Sequence, residues 1–159
     1  MTYTKDEITK HWESVDKIIG RWLHERQELI ILLCAVDGLR EFTPEDTPIS
    51  IKIQAFCQVL MDYVSAGHFE IYERLLHEAE QFGEVDGAAV LRQRLPQIQR
   101  STDIAVQFNN TYETVQDQKL FRDALSKDLS QLAELLEERF AIEDELIDLL
   151  HYQHKERVA

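Results

Sequence analysis

The stretch DYVSAGHFEIYERLL (62–76) decides how the chain is read. Apolar residues recur at helical steps on both sides of a Gly-His pair, with Phe69 just after it. At about 100° per residue, Ile53, Leu60 and Val64 centre one apolar face upstream, and Ile71, Tyr72, Leu75, Leu76, Ala79 and Phe82 form another downstream. The spacing predicts one helix over about 49–66 and a second over about 68–82, meeting at a corner. Gly67 stands where a left-handed residue commonly ends a helix, and Ser65 is placed to start the next turn.

The same helical wheel sorts the outside of this corner from its inside. Asp62 points away from the apolar centre, with Ser65 on its side. Phe69 lies roughly 90° from the downstream apolar centre, and Glu73 within about 40° of Phe69. Two readings of Phe69 stand: it folds inward and caps the bundle's end, or it is an aromatic anchor among carboxylates for a basic partner.

Outward from this stretch, helical steps of three and four continue. Ile8, Trp12, Val15, Ile19, Trp22, Leu29, Leu33 and Val36 predict a long first helix over about 6–37, with Gly20 on its polar side. GLREFTPEDTP (38–48) reads as a loop. ISIKI (49–53) alternates as a short strand would, but no partner strand is evident. FGEVDG (82–87) reads as a break, followed by a helix to about 114 that Pro96 kinks or splits. Phe121, Leu125, Leu129, Leu132, Leu136, Phe140, Ile147 and Leu150 mark a last helix over about 118–152. Long helices and short loops predict an all-α, antiparallel, four-helix-like bundle in one domain spanning 1–159, its first and last helices long.

The chain has 159 residues, with only 5 Gly and 3 Pro, and 30 acidic against 17 basic residues for a formal charge of −13. That charge opposes binding to nucleic acid or an anionic membrane and favours a cationic protein partner. Cys34 and Cys57 both fall in apolar patterns and read as buried thiols of a reducing compartment. The N-terminal residues carry no apolar run typical of a signal peptide, and LIILLCAV (29–36) is too short to span a bilayer. A cytoplasmic location is expected.

Two charges sit on apolar faces: Arg26 in the first helix and Glu143 in the last. A buried charge is costly unless paired, so an Arg26–Glu143 ion pair fixing helix register is expected, with Arg139 competing for Glu143. No Glu-x-x-His pair suggests a di-iron bundle. Glu73 and His77 are four apart but point outward, and Asp148, His151 and His154 lie near an end expected to fray. No phosphate loop, nucleophile elbow or paired-cysteine motif occurs. No cofactor, metal or enzymatic activity is expected. A metal-binding bundle and an acidic scaffolding module for another basic partner are the alternatives to a regulatory binding module.

CQVLMDYVSAGHFEIYERLLHEAE (57–80) resembles the central block of the regulator of sigma D (Rsd) and AlgQ family of bacterial anti-sigma factors. RWLHERQELI (21–30) resembles its first-helix signature, and LEERFAIEDELI (136–147), which includes Arg139 and Glu143, its last-helix block. The sequence departs from the family at Gly20, where an acidic residue is expected, and in 38–50 and 83–118. The resemblance implies binding to region 4 of the primary sigma factor, a basic helix-turn-helix domain, without direct nucleic-acid or membrane binding. It implies blocked engagement with −35 promoter DNA and core polymerase, favouring alternative sigma factors in stationary phase. It places Asp62, Ser65 and Phe69 in the contact block. Helical spacing puts Glu73 on the same side. Trp22 and Arg26 are weaker candidates, because their spacing turns them inward. Additional regulatory protein partners are compatible with this reading.

Overall fold

A computed structural model describes residues 4–37, 49–81, 83, 85–113 and 122–152. Its α-helices are α1 (Lys5–Asp37), α2 (Ile49–Ala66), α3 (Glu73–Gln81), α4 (Val85–Tyr112) and α5 (Arg122–Ile147). Two π-helical segments, Gly67–Tyr72 and Asp148–Tyr152, extend α2 and α5. Residues 38–48, 118–121 and 153–159, with Phe82, lie outside the described residues, as do the side chains of Ile8, His68 and Phe69.

α1 opens with a capping box. The Thr4 amide donates to Glu7, and the Glu7 amide donates to the Thr4 hydroxyl at 3.2 Å. Its buried stripe is Trp12, Val15, Ile19, Trp22, Leu29 and Val36. Cys34 falls on the opposite face and is exposed, contrary to expectation, while Cys57 is buried. ISIKI begins α2 rather than a strand. α4 runs through Pro96 without splitting, and because Pro96 is exposed, water can reach the carbonyl its missing amide leaves open.

The corner expected at Gly67 does not form. Ala66 and Glu73, on either side of Gly67–Tyr72, both have right-handed helical angles. α2, the π turn and α3 therefore make one continuous rod. Ser65 lies inside it rather than starting a new helix. The chain turns at Gly83 instead, with φ 77° in the left-handed region that favours glycine.

Contacts fix the directions of the rods. Trp22 and Arg26 of α1 meet Tyr63, whereas His11 meets Glu78, so α1 opposes the α2–α3 rod. Thr102 meets Arg139 and Arg94 meets Glu145, so α4 opposes α5. The four rods form an all-α antiparallel bundle with a continuous core that includes Ile19, Phe56, Leu60, Leu91, Ile98, Leu132 and Leu136. Among the described residues, no helix is long and apolar enough to cross a membrane.

Candidate functional site

The middle of the bundle is built around one carboxylate. Glu143 is 1% exposed and lies on the apolar face of α5. Arg26 Nη2 stands 3.4 Å from Glu143 Oε1, and Arg139 Nε donates to Oε2 at 3.1 Å. Arg139 thus shares Glu143 with Arg26 rather than displacing it. The Tyr63 hydroxyl donates to Glu143 at 2.5 Å while accepting from Arg26 Nε at 2.9 Å. The Tyr72 hydroxyl also donates to Glu143 and accepts from Arg139 at 3.0 Å. Arg139 finishes its fork on Ser101 and Thr102 of α4.

Each charge of this network therefore has directed partners. Burial, then the Glu143 carboxylate, raises both phenols far above their ordinary pKa, so they remain donors. Burial opposes charge on both arginines. Tyr63, Asp144 and Glu143 outweigh it at Arg26, while Tyr72 and Glu143 lead at Arg139; both remain charged.

Trp22 belongs to this network. Its ring stacks on Tyr63 at 4.9 Å, and its indole N–H donates to the Tyr63 carbonyl at 3.2 Å, just before the π turn. It is 2% exposed, and Arg26 is mostly covered, its free side leading to exposed Asp144 at 2.5 Å.

Gly67 seats the rod against this network. A Cβ there would lie 3.1 Å from Tyr72 Oη, 3.2 Å from Arg139 Nη2 and 3.2 Å from Trp22 Cζ2. Glycine is required by this close approach, not by a left-handed turn.

The outer face of the same rod is acidic. Asp62, Ser65, Glu70 and Glu73 are exposed. The π turn inserts the equivalent of one extra residue, so the position two turns on from Asp62 moves from 69 toward Glu70. Glu25 of α1 completes the group. Burial, followed by the Asp62, Glu70 and Glu28 carboxylates, pushes its carboxyl pKa up. Its Oε2 is buried and accepts no hydrogen bond from the described residues.

Two open grooves flank this face. One, about 550 Å³, lies between α1 and α3 and is lined by Ile18, Arg21, Glu70, Glu73, Arg74 and His77. The other, about 490 Å³, lies between α2 and α4 and includes Cys57, Met61, Asp62 and Glu113. Asp62 and Glu73 thus border different grooves, with Glu70 on the rod between them. Burial, aided by Glu113, pushes the Cys57 thiol up to about 12, leaving it unreactive at neutral pH. Glu25 and Glu70 were not singled out in the sequence, because Glu25 acquires its place from a different helix and Glu70 from the π turn. Among the described residues, no three His, Cys, Asp or Glu side chains are arranged to hold a metal ion.

The family model described as regulator of RNA polymerase sigma(70) subunit, Rsd/AlgQ, matches residues 1–151. The chain is 35% identical over 147 residues to a regulator of sigma D from Shigella boydii serotype 4 (strain Sb227), covering 91% of this chain and 90% of that protein. Identity and coverage are the same for a regulator of sigma D from Escherichia coli O1:K1 / APEC. No solved structure matches. The chain belongs to the Rsd/AlgQ family of regulators of the RNA polymerase sigma(70) subunit.

Proposed function

We propose that the protein is a non-enzymatic anti-sigma factor of the bacterial cytoplasm. It binds region 4 of the primary sigma factor and keeps that domain from −35 promoter DNA and core polymerase. The result is a shift of polymerase toward alternative sigma factors in stationary phase. The observation that carries this reading is the acidic outer face of the α2–α3 rod, where Asp62, Glu70 and Glu73 are exposed beside Glu25. A carboxyl crowded by like charges gains from a partner's lysine or arginine, and a basic DNA-reading domain supplies both. Ser65 adds a hydroxyl to this face, and Phe69 supplies the apolar anchor.

Arg26 and Glu143 act from behind this face. Their ion pair, with Arg139 and the two tyrosines, fixes the rod in register, and Trp22 braces it. These residues position the contact surface without forming it. Binding occupies the sigma domain's surface and requires no chemistry.

The test is co-purification and titration with sigma region 4 at two salt concentrations. Asp62→Lys and Phe69→Ala are each expected to weaken binding by about tenfold or more, with far-UV CD and melting near wild type. Binding by the wild type should weaken at the higher salt. If both variants bind like wild type, this face is not the site.

A further inference from the structure

Farther along the rod from Asp62, a second carboxylate is buried. Glu78 of α3 is 0% exposed, and among the described residues neither of its oxygens has a hydrogen-bond donor. His151, on the C-terminal π segment, is also 0% exposed. The sequence placed His151 near a fraying end; instead its ring is enclosed between α1 and α3, with its Trp12 contact edge-on at 5.3 Å. His151 Nε2 lies 2.5 Å from Asp16 Oδ1 and Nδ1 lies 3.6 Å from Glu78 Oε1. His11 Nε2 is 3.9 Å from the same Glu78 oxygen.

A neutral imidazole has one donor and one acceptor nitrogen. Both nitrogens of His151 face carboxylate oxygens, so only the doubly protonated ring suits both neighbours. Ionised Glu78 in turn needs a positive partner, because an unpaired charge in a protein interior is costly. We propose that Asp16, His151 and Glu78 form a proton-operated latch, in which imidazolium His151 ties α1 and α3 to the C-terminal segment and loss of its proton releases that segment.

The surroundings leave this role to His151. α1 contributes His11 and Asp16, and α3 contributes Arg74 and His77 beside Glu78. Arg74 is exposed and reaches Ser14 at 3.5 Å. α4 also packs against the C-terminal segment, but Arg94 is taken by Glu145 of α5 at 3.4 Å. Within the segment, Asp148 lies one turn before His151 and the Tyr152 ring packs beside it at 5.0 Å.

Burial alone would lower the His151 pKa, but Glu78 and Asp16 outweigh it and hold the value above 6.5. The latch's stabilisation is therefore fully present below 6.5 and is lost as pH rises through the folded-state value. His11 runs the other way. Burial outweighs Glu78 and lowers its pKa, so its contribution is lost as pH falls from 6.5 toward its folded-state value. The closed state is favoured between these two transitions. The latch does not depend on which partner the acidic face binds.

The test follows the histidine ring resonances of the whole protein by NMR, together with amide exchange. His151 is expected to titrate above 6.5, and Glu78→Gln and Asp16→Asn should each move its midpoint down. Protection of amides 148–152 should fall severalfold through that midpoint while amides 60–64 hold theirs. Asp16 is 38% exposed, so Asp16→Asn keeps the test open if Glu78→Gln impairs folding; far-UV CD reports that. A wild-type midpoint at or below 6.5, a midpoint unmoved by Asp16→Asn, or equal loss of protection in both segments overturns the latch.

Discussion

Glu143 and Glu78 are both essentially inaccessible, and both face α1 across the bundle, yet they are held by different chemistry. Glu143 meets two guanidinium groups and two phenols in directed hydrogen bonds. Among the described residues, Glu78 faces imidazoles at 3.6 and 3.9 Å and accepts no hydrogen bond. Arginine keeps its charge at any pH a folded protein meets, whereas histidine gains or loses its own near neutrality. The middle of the bundle is therefore fixed permanently, while the end containing the last described residues is fixed only while a proton is present.

The largest expected effect comes from removing the permanent counter-charge. Glu143→Gln leaves Arg26 and Arg139 close together and should destabilise by about 3–5 kcal/mol in urea unfolding. That loss should be nearly constant from roughly pH 6 to roughly pH 9, where neither guanidinium titrates. Glu78→Gln should cost less, and its cost should shrink as pH rises. Equal costs at every pH would erase the distinction between the two clusters.

A smaller effect should come from the seat of the rod. Gly67→Ala pushes a methyl against Trp22, which is stacked on Tyr63, and against Arg139, which is held by several hydrogen bonds. Neither can yield easily, so a loss of about 1–3 kcal/mol is expected by thermal or urea unfolding. Gly20→Ala should do the opposite. Gly20 is exposed within α1 with none of the described residues within 4 Å of an added Cβ, and the change should stabilise by about 0.5–1 kcal/mol. A Gly67→Ala gain matching that of Gly20→Ala would show that the rod is not seated on the network.

Helical spacing was enough to place α1 and α5, because Trp12, Val15, Ile19 and Trp22 in α1, and Leu125, Leu129, Leu132 and Leu136 in α5, keep regular steps, but it put a corner into the continuous α2–α3 rod. Arg26 and Glu143 stood out as charges on apolar faces. Gly67 was misread because its need is tertiary. Nothing local in a glycine distinguishes a left-handed turn from a close approach by side chains 45 and 72 positions away, those of Trp22 and Arg139. The π turn left no mark in the sequence, because it continues the helix on both sides and adds only the equivalent of one residue to its register. Glu78 looked like its neighbours Glu73 and Glu80, and only packing against His151 separates it from them. Asp62 and Ser65 were legible as outward positions, but the crowding by Glu25 required α1 beside them.

The distribution of aromatic rings adds a practical consequence. The chain has two tryptophans, and each buried charge cluster holds one: Trp22 stacks within the Glu143 network, and Trp12 touches both His151 and His11, at 5.3 and 5.2 Å. A protonated imidazole quenches the emission of an indole it touches, whereas the groups around Trp22 do not change charge near neutrality. The protein is thus internally labelled, with Trp12 as an optical reporter of proton occupancy and Trp22 as its steady reference.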